Sequence, residues 1–303
     1  MEVFENNASN QRRKRVLIAG YGYVGSLVGQ RLAEQGMEVI ALSRRRPVSL
    51  ISSTHSGIRW VQADLTCRES LSVISGDFDY ALYAASSSQG GSQDYTRIYC
   101  QGLQNIIHRL EGHLKKKMIY LSSTGVYGQD DGEWVDEEMP TRPPSETGKI
   151  LLQAEEVLKR QDSISMNCWV IMRLSGIYGP GRSYAMKRIQ DGTAVIESSG
   201  KRWVNMIHRH DAASAVISAM HEGVCGHVYN TSDAQPVLQS KLYAWLAKQT
   251  GSSPLPKLDT DSVRPIKRRA TNKRIRSEKL SGLKGFSYKY PTYREGYLEL
   301  MDR

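Results

Sequence analysis

Residues 16–25 read Val-Leu-Ile-Ala-Gly20-Tyr-Gly-Tyr-Val-Gly25, an apolar run that leads straight into a G-x-G-x-x-G loop. Val16 to Ala19 have the charge-free, β-branched character of a buried strand, and Val24, Leu27, Val28 and Leu32 recur at helical spacing as far as Gln35. The glycines therefore fall at a strand-to-helix turn. Gly20 permits the tight turn, Gly22 lets the backbone approach a diphosphate, and Gly25 lets helix and strand pack closely, while the helix start offers amide groups to an anion. A glycine loop alone is weak evidence; in this context it predicts a dinucleotide-binding crossover with Gly20, Tyr21, Gly22, Tyr23, Val24 and Gly25 as cofactor-binding residues.

Outward from the loop the alternation continues. Glu38 to Ser43, Tyr80 to Ala85, Met118 to Ser123 and Asn167 to Arg173 read as short strands, and Ile150 to Arg160 as an amphipathic helix. Strands apolar on both sides fit a parallel sheet covered above and below. The expectation is an α/β chain: a doubly wound parallel sheet of Rossmann type over residues 15–175, preceded by a flexible basic segment 1–14. A smaller substrate-covering domain over 176–303 follows, with residues near 203–232 returning to the first domain. Past Arg173 the sequence predicts a loop at Gly176 to Gly181, a short helix at Tyr184 to Gln190, and a helix from Asp211 to His221 begun by Asp211 as N-cap. Tyr288 to Tyr293 reads as a Pro-broken closing segment.

At the end of the second strand, about 20 residues past the loop, an NAD-preferring site carries an acid for the ribose hydroxyls. This chain has Ser43-Arg44-Arg45-Arg46 instead. With no carboxylate to repel a 2′-phosphate and guanidinium groups to pair with one, the sequence favours NADP over NAD. Asp64 and Leu65 are placed to reach the adenine ring.

Of 303 residues 40% are hydrophobic, enough for a large core and against wholesale disorder. No apolar run approaches the roughly 20 residues of a membrane helix, and a cytoplasmic location is expected. The four cysteines show no metal-ligand spacing, so neither a zinc site nor a disulfide framework is expected, and free thiols are the favoured reading. The net charge of +10 is concentrated between Arg264 and Lys279, which reads as a solvated basic face; without interleaved exposed aromatics a nucleic-acid surface is disfavoured.

Several motifs together resemble the extended short-chain dehydrogenase/reductase superfamily, in its NAD-dependent epimerase/dehydratase group. They are the glycine loop, Asp64-Leu65, Ala84-Ala85, Leu121-Ser-Ser-Thr-Gly-Val-Tyr-Gly128, Arg173, Ile177-Tyr-Gly-Pro-Gly181, and Asn205-Met-Ile-His208 with Asp211. The tail, from Lys267 through Asn272 to Pro291-Thr-Tyr-Arg-Glu-Gly296, resembles atypical bacterial members of the YeeZ type. The resemblance adds Ala84, Ala85 and Ser86 to the cofactor-binding residues and makes Ser123 the hydroxyl that orients the reacting oxygen. It implies that His208 and Asp211 mainly hold the returning chain, and that relatives pair through helices flanking the sheet, as a homodimer would.

The family's acid/base is a tyrosine four residues before a lysine on the helix that follows. Anchored on Ala154-Glu155-Glu156, this chain has Thr147 and Leu151 at those positions; a shift of two residues gives Ser145 and Lys149 but turns the helix by about 200°. Neither register supplies a tyrosine. Lys149 is carried forward as a catalytic candidate beside Ser123, with Glu146 and Tyr178 as other proton-transfer candidates and Arg182 for an anionic substrate group. The sequence thus predicts an NAD(P)-dependent oxidoreductase or epimerase-like enzyme of unusual catalytic makeup, acting on a small hydroxy/keto or sugar-derived substrate. The alternative is a non-catalytic NAD(P)-binding regulator or sensor.

Overall fold

The structure, a computed structural model, describes residues 12–47, 50, 56–87, 90–161, 168–196, 200–252 and 271–302. The predicted flexible start lies outside them up to residue 11, as does the basic run up to residue 270.

The first strand, β1 (Arg15–Ala19), turns through the glycine loop into α1 (Tyr23–Glu34) and returns as β2 (Glu38–Ser43) and β3 (Ile58–Gln62). Next come β4 (Phe78–Tyr83), a helical stretch made of α2 (Ser92–Tyr95), a π-wound segment (Thr96–Gly102) and α3 (Leu103–Leu110), and β5 (Leu114–Ser123). After β6 (Trp134–Val135), α4 (Glu146–Lys159) leads into β7 (Trp169–Leu174). The distal part contains β8 (Gly176–Tyr178), α5 (Tyr184–Gln190), β9 (Trp203–Val204), β10 (Met206–His208), α6 (Arg209–Glu222) and β11 (His227–Thr231). It closes with β12 (Val237–Leu238), α7 (Gln239–Thr250), β13 (Arg274–Ile275), α8 (Glu278–Ser281) and α9 (Tyr293–Met301).

Seven strands form one parallel sheet in the order β11-β7-β5-β4-β1-β2-β3. Side chains alternate across a strand. Val16 and Ile18 accordingly join the core formed with α1 and α6, and Leu17 and Ala19 the core formed with α3 and α4. Both faces of β1 are buried, which is why its sequence reads as an unbroken apolar run. The order reverses between β1 and β4, opening a crevice at the carboxyl ends of those strands, where the glycine loop lies. A separate apolar cluster, including Tyr178, Met206, Leu242, Leu246 and Tyr297, holds the distal elements together. No described helix is long and apolar enough to cross a membrane.

Several local expectations are corrected. Gly176 to Tyr178 is a strand paired in parallel with β10, its backbone bonding satisfied by the returning chain. The helix expected to begin at Asp211 starts two residues earlier, with His208 as N-cap accepting from the His210 amide. Asp211 instead accepts the backbone N–H groups of Lys289 and Tyr290, tying the C-terminal segment to α6. The closing segment continues into α9, capped by Thr292 and Glu295 in a reciprocal box.

The thiol expectation also fails for two of the four cysteines. β7 and β11 are neighbours in the sheet although 57 residues separate Cys168 from Cys225, and the two cysteines form a disulfide at the foot of that pair. Cys67 and Cys100 are free. Unfolded without reductant, the protein is expected to titrate with two thiols per chain, and with four after reduction; four without reduction would show the cross-link absent.

In the described part of the basic run, Lys273 and Arg274 depart from the expected solvated face, whereas Arg276 is exposed. Lys273 is buried and donates to the Tyr127 carbonyl (3.0 Å) and the Thr271 hydroxyl (2.7 Å), and burial pushes its ammonium down to about 8. The Arg274 guanidinium lies 4.9 Å from the Trp134 ring centre and 5.1 Å from that of Trp203. These cations pin β13 to β6.

Candidate active site

A cleft of about 500 Å³ runs along the carboxyl ends of β1, β2 and β4. Of the residues expected at the cofactor, Gly20, Tyr21, Gly22, Ser43, Arg44, Arg45, Asp64, Leu65, Ala84, Ala85 and Ser86 line it. Their spacing along the chain follows from the topology, since each group ends a strand or opens the turn after one.

Gly20 has φ +99°, and a Cβ there would lie 2.3 Å from the Ala85 nitrogen, so the turn is folded tightly onto the β4 terminus. A Cβ on Gly25 would lie 2.3 Å from the Gly20 carbonyl oxygen. Gly22 differs from both: its Cβ position has nothing within 4 Å. The backbone at Gly22 faces open cleft, and α1 begins there with no side chain capping its amides. An uncapped helix start in an open hollow fits a diphosphate.

The far end of the cleft is basic. Ser43 accepts from the Trp60 indole (2.9 Å) and donates to the Arg45 carbonyl (2.7 Å), fixing the turn that carries Arg44, Arg45 and Arg46 into the lining. Burial raises the Asp64 carboxyl, but the amide and hydroxyl of Thr66, with Arg44 and Arg97, outweigh it and hold the group below the usual aspartate range. Asp64 is therefore a fixed anion beside Arg44.

Tyr23, Val24 and Gly25 do not line the cleft. Val24 is buried in the α1 core, and Gly25 sits beneath Gly20. The Tyr23 hydroxyl donates to the Pro180 carbonyl (3.0 Å), and its ring packs under Arg209 at 4.5 Å. These residues hold α1 against the sheet and the distal loop; their backbone amides remain at the helix start.

Ser123 ends β5, and its hydroxyl accepts from the Gly125 amide at 3.1 Å. One strand away, β4 and β5 register Tyr83 with Tyr120, three residues before Ser86 and Ser123 in their respective segments. Beneath Ser123 is a buried network. Glu155 receives two bonds from Arg173 (3.0 and 2.7 Å) and one from Ser122 (2.6 Å). Arg173 also donates to the Tyr127 hydroxyl (2.7 Å), which in turn donates to Asn230 (2.8 Å). Tyr127 is thus fully buried and committed to that network.

The Lys149 expectation is corrected by the helix phase. Its ammonium pairs with Glu146 at 2.7 Å, and its side chain lines an outer hollow with Arg142, Leu152, Glu156 and Arg160, not the cleft. The inward face of α4 carries Gly148 and Leu151. A Cβ on Gly148 would lie 2.7 Å from the Gly125 carbonyl oxygen, and Leu151 is buried against Val126 and Tyr127.

A second hollow, about 530 Å³, lies among β8, β10, α5 and α7 and is lined by Arg182, Arg188 and Arg202 together with Tyr178, Tyr184 and Tyr243. Sequence reasoning singled out Tyr178 and Arg182 there, but neither Arg188 nor Arg202. Ile98 in the cleft was missed as well, and nothing in its surroundings marks it: it is one apolar residue in a helical stretch. Tyr178 stacks on Tyr297 at 4.8 Å, and burial pushes its phenol far above the usual range; a Cβ on Gly296 would lie 2.0 Å from its oxygen. That hydroxyl is packed into the distal core. His208 lies 5.2 Å from the Tyr178 ring and 4.1 Å from Tyr290, in keeping with a role in holding the chain.

The model of the NAD-dependent epimerase/dehydratase family matches residues 16–232. The chain is 25% identical over 285 residues to protein YeeZ of Escherichia coli K12, covering 92% of this chain and 97% of that protein. It is 30% identical to a solved structure from Methylobacillus flagellatus described as an NAD-dependent epimerase/dehydratase, with TM-score 0.76 over 96% of this chain and 99% of that one. A dTDP-glucose 4,6-dehydratase from Bacillus anthracis, solved with NAD, superposes with TM-score 0.79 over 95% of this chain and 96% of the other. At 16% identity that likeness speaks for the fold alone.

Proposed function

Since this chain belongs to the NAD-dependent epimerase/dehydratase family, we propose that it is an NAD(P)-dependent oxidoreductase or epimerase-like enzyme. It acts on a small hydroxy/keto or sugar-derived compound and prefers NADP(H) to NAD(H). The observation that carries the reading is the cleft itself: an uncapped helix start with open space over Gly22 at one end, and Arg44 to Arg46 at the other.

The residues divide the work along the cleft. The α1 amides at Gly22 hold the diphosphate, Leu65 and Asp64 border the adenosine end, and Arg44 and Arg45 pair with a 2′-phosphate. Ala84, Ala85 and Ser86 form the wall toward the reacting end. The dinucleotide, when bound, supplies hydride exchange with a substrate carbon. The Gly125 amide occupies one lone pair of the Ser123 hydroxyl, which leaves its O–H to donate to the substrate oxygen and orient it. Arg182, Arg188 and Arg202 favour a substrate that carries an anionic group.

Turnover is tested by following nicotinamide absorbance with NADPH over a panel of keto acids, keto sugars and sugar nucleotides. A change with one class supports the proposal, and silence across the panel with cofactor bound contradicts it. Cofactor choice has a separate test. Arg44→Ala with Arg45→Ala is expected to weaken NADPH binding by roughly 10–100-fold and leave NADH within about threefold, because a charge-assisted pair contributes about 1.5–3 kcal/mol. Equal loss for both cofactors would overturn the NADP assignment.

The second reading, a dinucleotide-binding regulator without turnover, draws on one observation: Leu151, at the family's lysine position, is buried in an apolar cluster. Under that reading, binding is retained and redox activity appears only when Thr147→Tyr and Leu151→Lys are introduced together.

A further inference from the structure

We propose that Tyr23 couples the two hollows, so that a dinucleotide bound at the start of α1 sets the wall of the second hollow and prepares it for an anionic substrate group. The inference rests on the dinucleotide reading above and deepens it: the cofactor binds first and the substrate second. Tyr23 is a positioning residue here, since its side chain lines neither hollow.

Tyr23 belongs to both regions through different parts. Its backbone is the first residue of α1, directly after Gly22, where the helix start faces open cleft. Its side chain reaches the distal chain. The hydroxyl donates to the Pro180 carbonyl at 3.0 Å, and the Arg182 guanidinium carbon lies 5.5 Å from the ring centre. Pro180 and Arg182 belong to one tight turn, in which Gly179 and Arg182 exchange both backbone hydrogen bonds, at 3.1 and 2.9 Å. The approach is close: a Cβ on Gly179 would lie 2.9 Å from the Tyr23 hydroxyl oxygen. Arg182 in turn lines the second hollow with Arg188 and Arg202, and so does Tyr178, which ends β8 immediately before the turn.

The first turn of α1 is itself tied to α6. Arg209 donates from Nε to the Tyr23 carbonyl (2.5 Å) and from Nη2 to the Ser26 hydroxyl (3.0 Å), and its guanidinium carbon lies 4.5 Å from the Tyr23 ring centre. A diphosphate on the α1 amides fixes the orientation of this turn of helix. The Tyr23 ring follows its own backbone, and its hydroxyl holds the Pro180 carbonyl in place. The ordering cost of residues 179–182 is then already met when an anion reaches Arg182, so each ligand favours the other.

The test is amide hydrogen exchange of the full chain with and without saturating NADPH, binding being verified by calorimetry. It is read on a peptide spanning residues 177–184, with α7 as reference, in the parent and in Tyr23→Phe, which keeps the ring and removes the hydroxyl. In the parent, bound NADPH is expected to slow exchange at 177–184 by at least about fivefold beyond any change in α7. In Tyr23→Phe saturated with NADPH, that extra slowing is expected to be lost. A merely structural role for the hydroxyl would speed exchange at the turn equally with and without NADPH. Exchange at the parent's turn that bound NADPH leaves unaltered overturns the proposal, whatever the variant does. Slowing in Tyr23→Phe equal to the parent's overturns it as well, and both results leave the dinucleotide reading standing. Absence of NADPH binding to the parent removes that reading, and the proposal with it.

Discussion

A Gly22→Val protein is expected to melt within about 1 kcal/mol of the parent's stability, yet bind NADPH and NADH at least about 100-fold more weakly, near 2.7 kcal/mol. The two expectations separate because of what surrounds this residue. Its φ is −94°, so no left-handed backbone is lost, and a Cβ there touches nothing within 4 Å. The branched side chain would instead fill the hollow over the α1 amides. Gly20 cannot serve the same test, because its positive φ and the 2.3 Å approach to the Ala85 nitrogen make any substitution there damage the fold. Thermal melting together with calorimetric titration checks the pair of outcomes, and unchanged affinity would move the diphosphate off this turn.

The largest expected loss of stability comes from Arg173→Leu, about 3–5 kcal/mol by urea unfolding. Glu155 has no exposed side-chain surface and draws two of its bonds from Arg173, so the substitution leaves a buried carboxylate with only Ser122 beside it, and Lys159 at 3.8 Å. The Tyr127 hydroxyl loses its donor in the same step. Replacing both partners, Arg173→Leu with Glu155→Leu, is expected to recover much of the loss, since the cost lies in the unpaired charge more than in the absent pair. A double variant no more stable than the single one would show that the network stabilises for another reason. The same cluster joins β5, α4, β7 and β11 directly under Ser123, so its integrity also governs where that hydroxyl stands.

The parts of the molecule legible in the sequence are those written in short local patterns. The strand, glycine loop and helix of residues 16–35 are contiguous, and their apolar spacing differs visibly between strand and helix. Arg44 and Arg45 could be placed because the end of the second strand is a fixed position in a doubly wound sheet. Lys149 could not be placed by residue type alone. One helix carries both registers, and Gly148 packed on the Gly125 carbonyl sets the phase that turns Lys149 outward.

What stayed hidden depends on distant partners. The Cys168–Cys225 bond exists because two strands far apart in sequence lie side by side, which no cysteine spacing announces. The burial of Lys273 and the packing of Arg274 against two tryptophans take these two cations off the solvated face that the charge run suggests. α9 had a readable signal, Thr292 followed three residues later by Glu295, which the proline at 291 masked.

The central claim is that the amides at the start of α1 grip a nicotinamide dinucleotide. Parallel calorimetric titration of the intact protein with NADPH and NADH tests it most directly. The account predicts saturable binding of one dinucleotide per chain, tighter for NADPH; no heat and no thermal protection from either compound at millimolar concentration would contradict it.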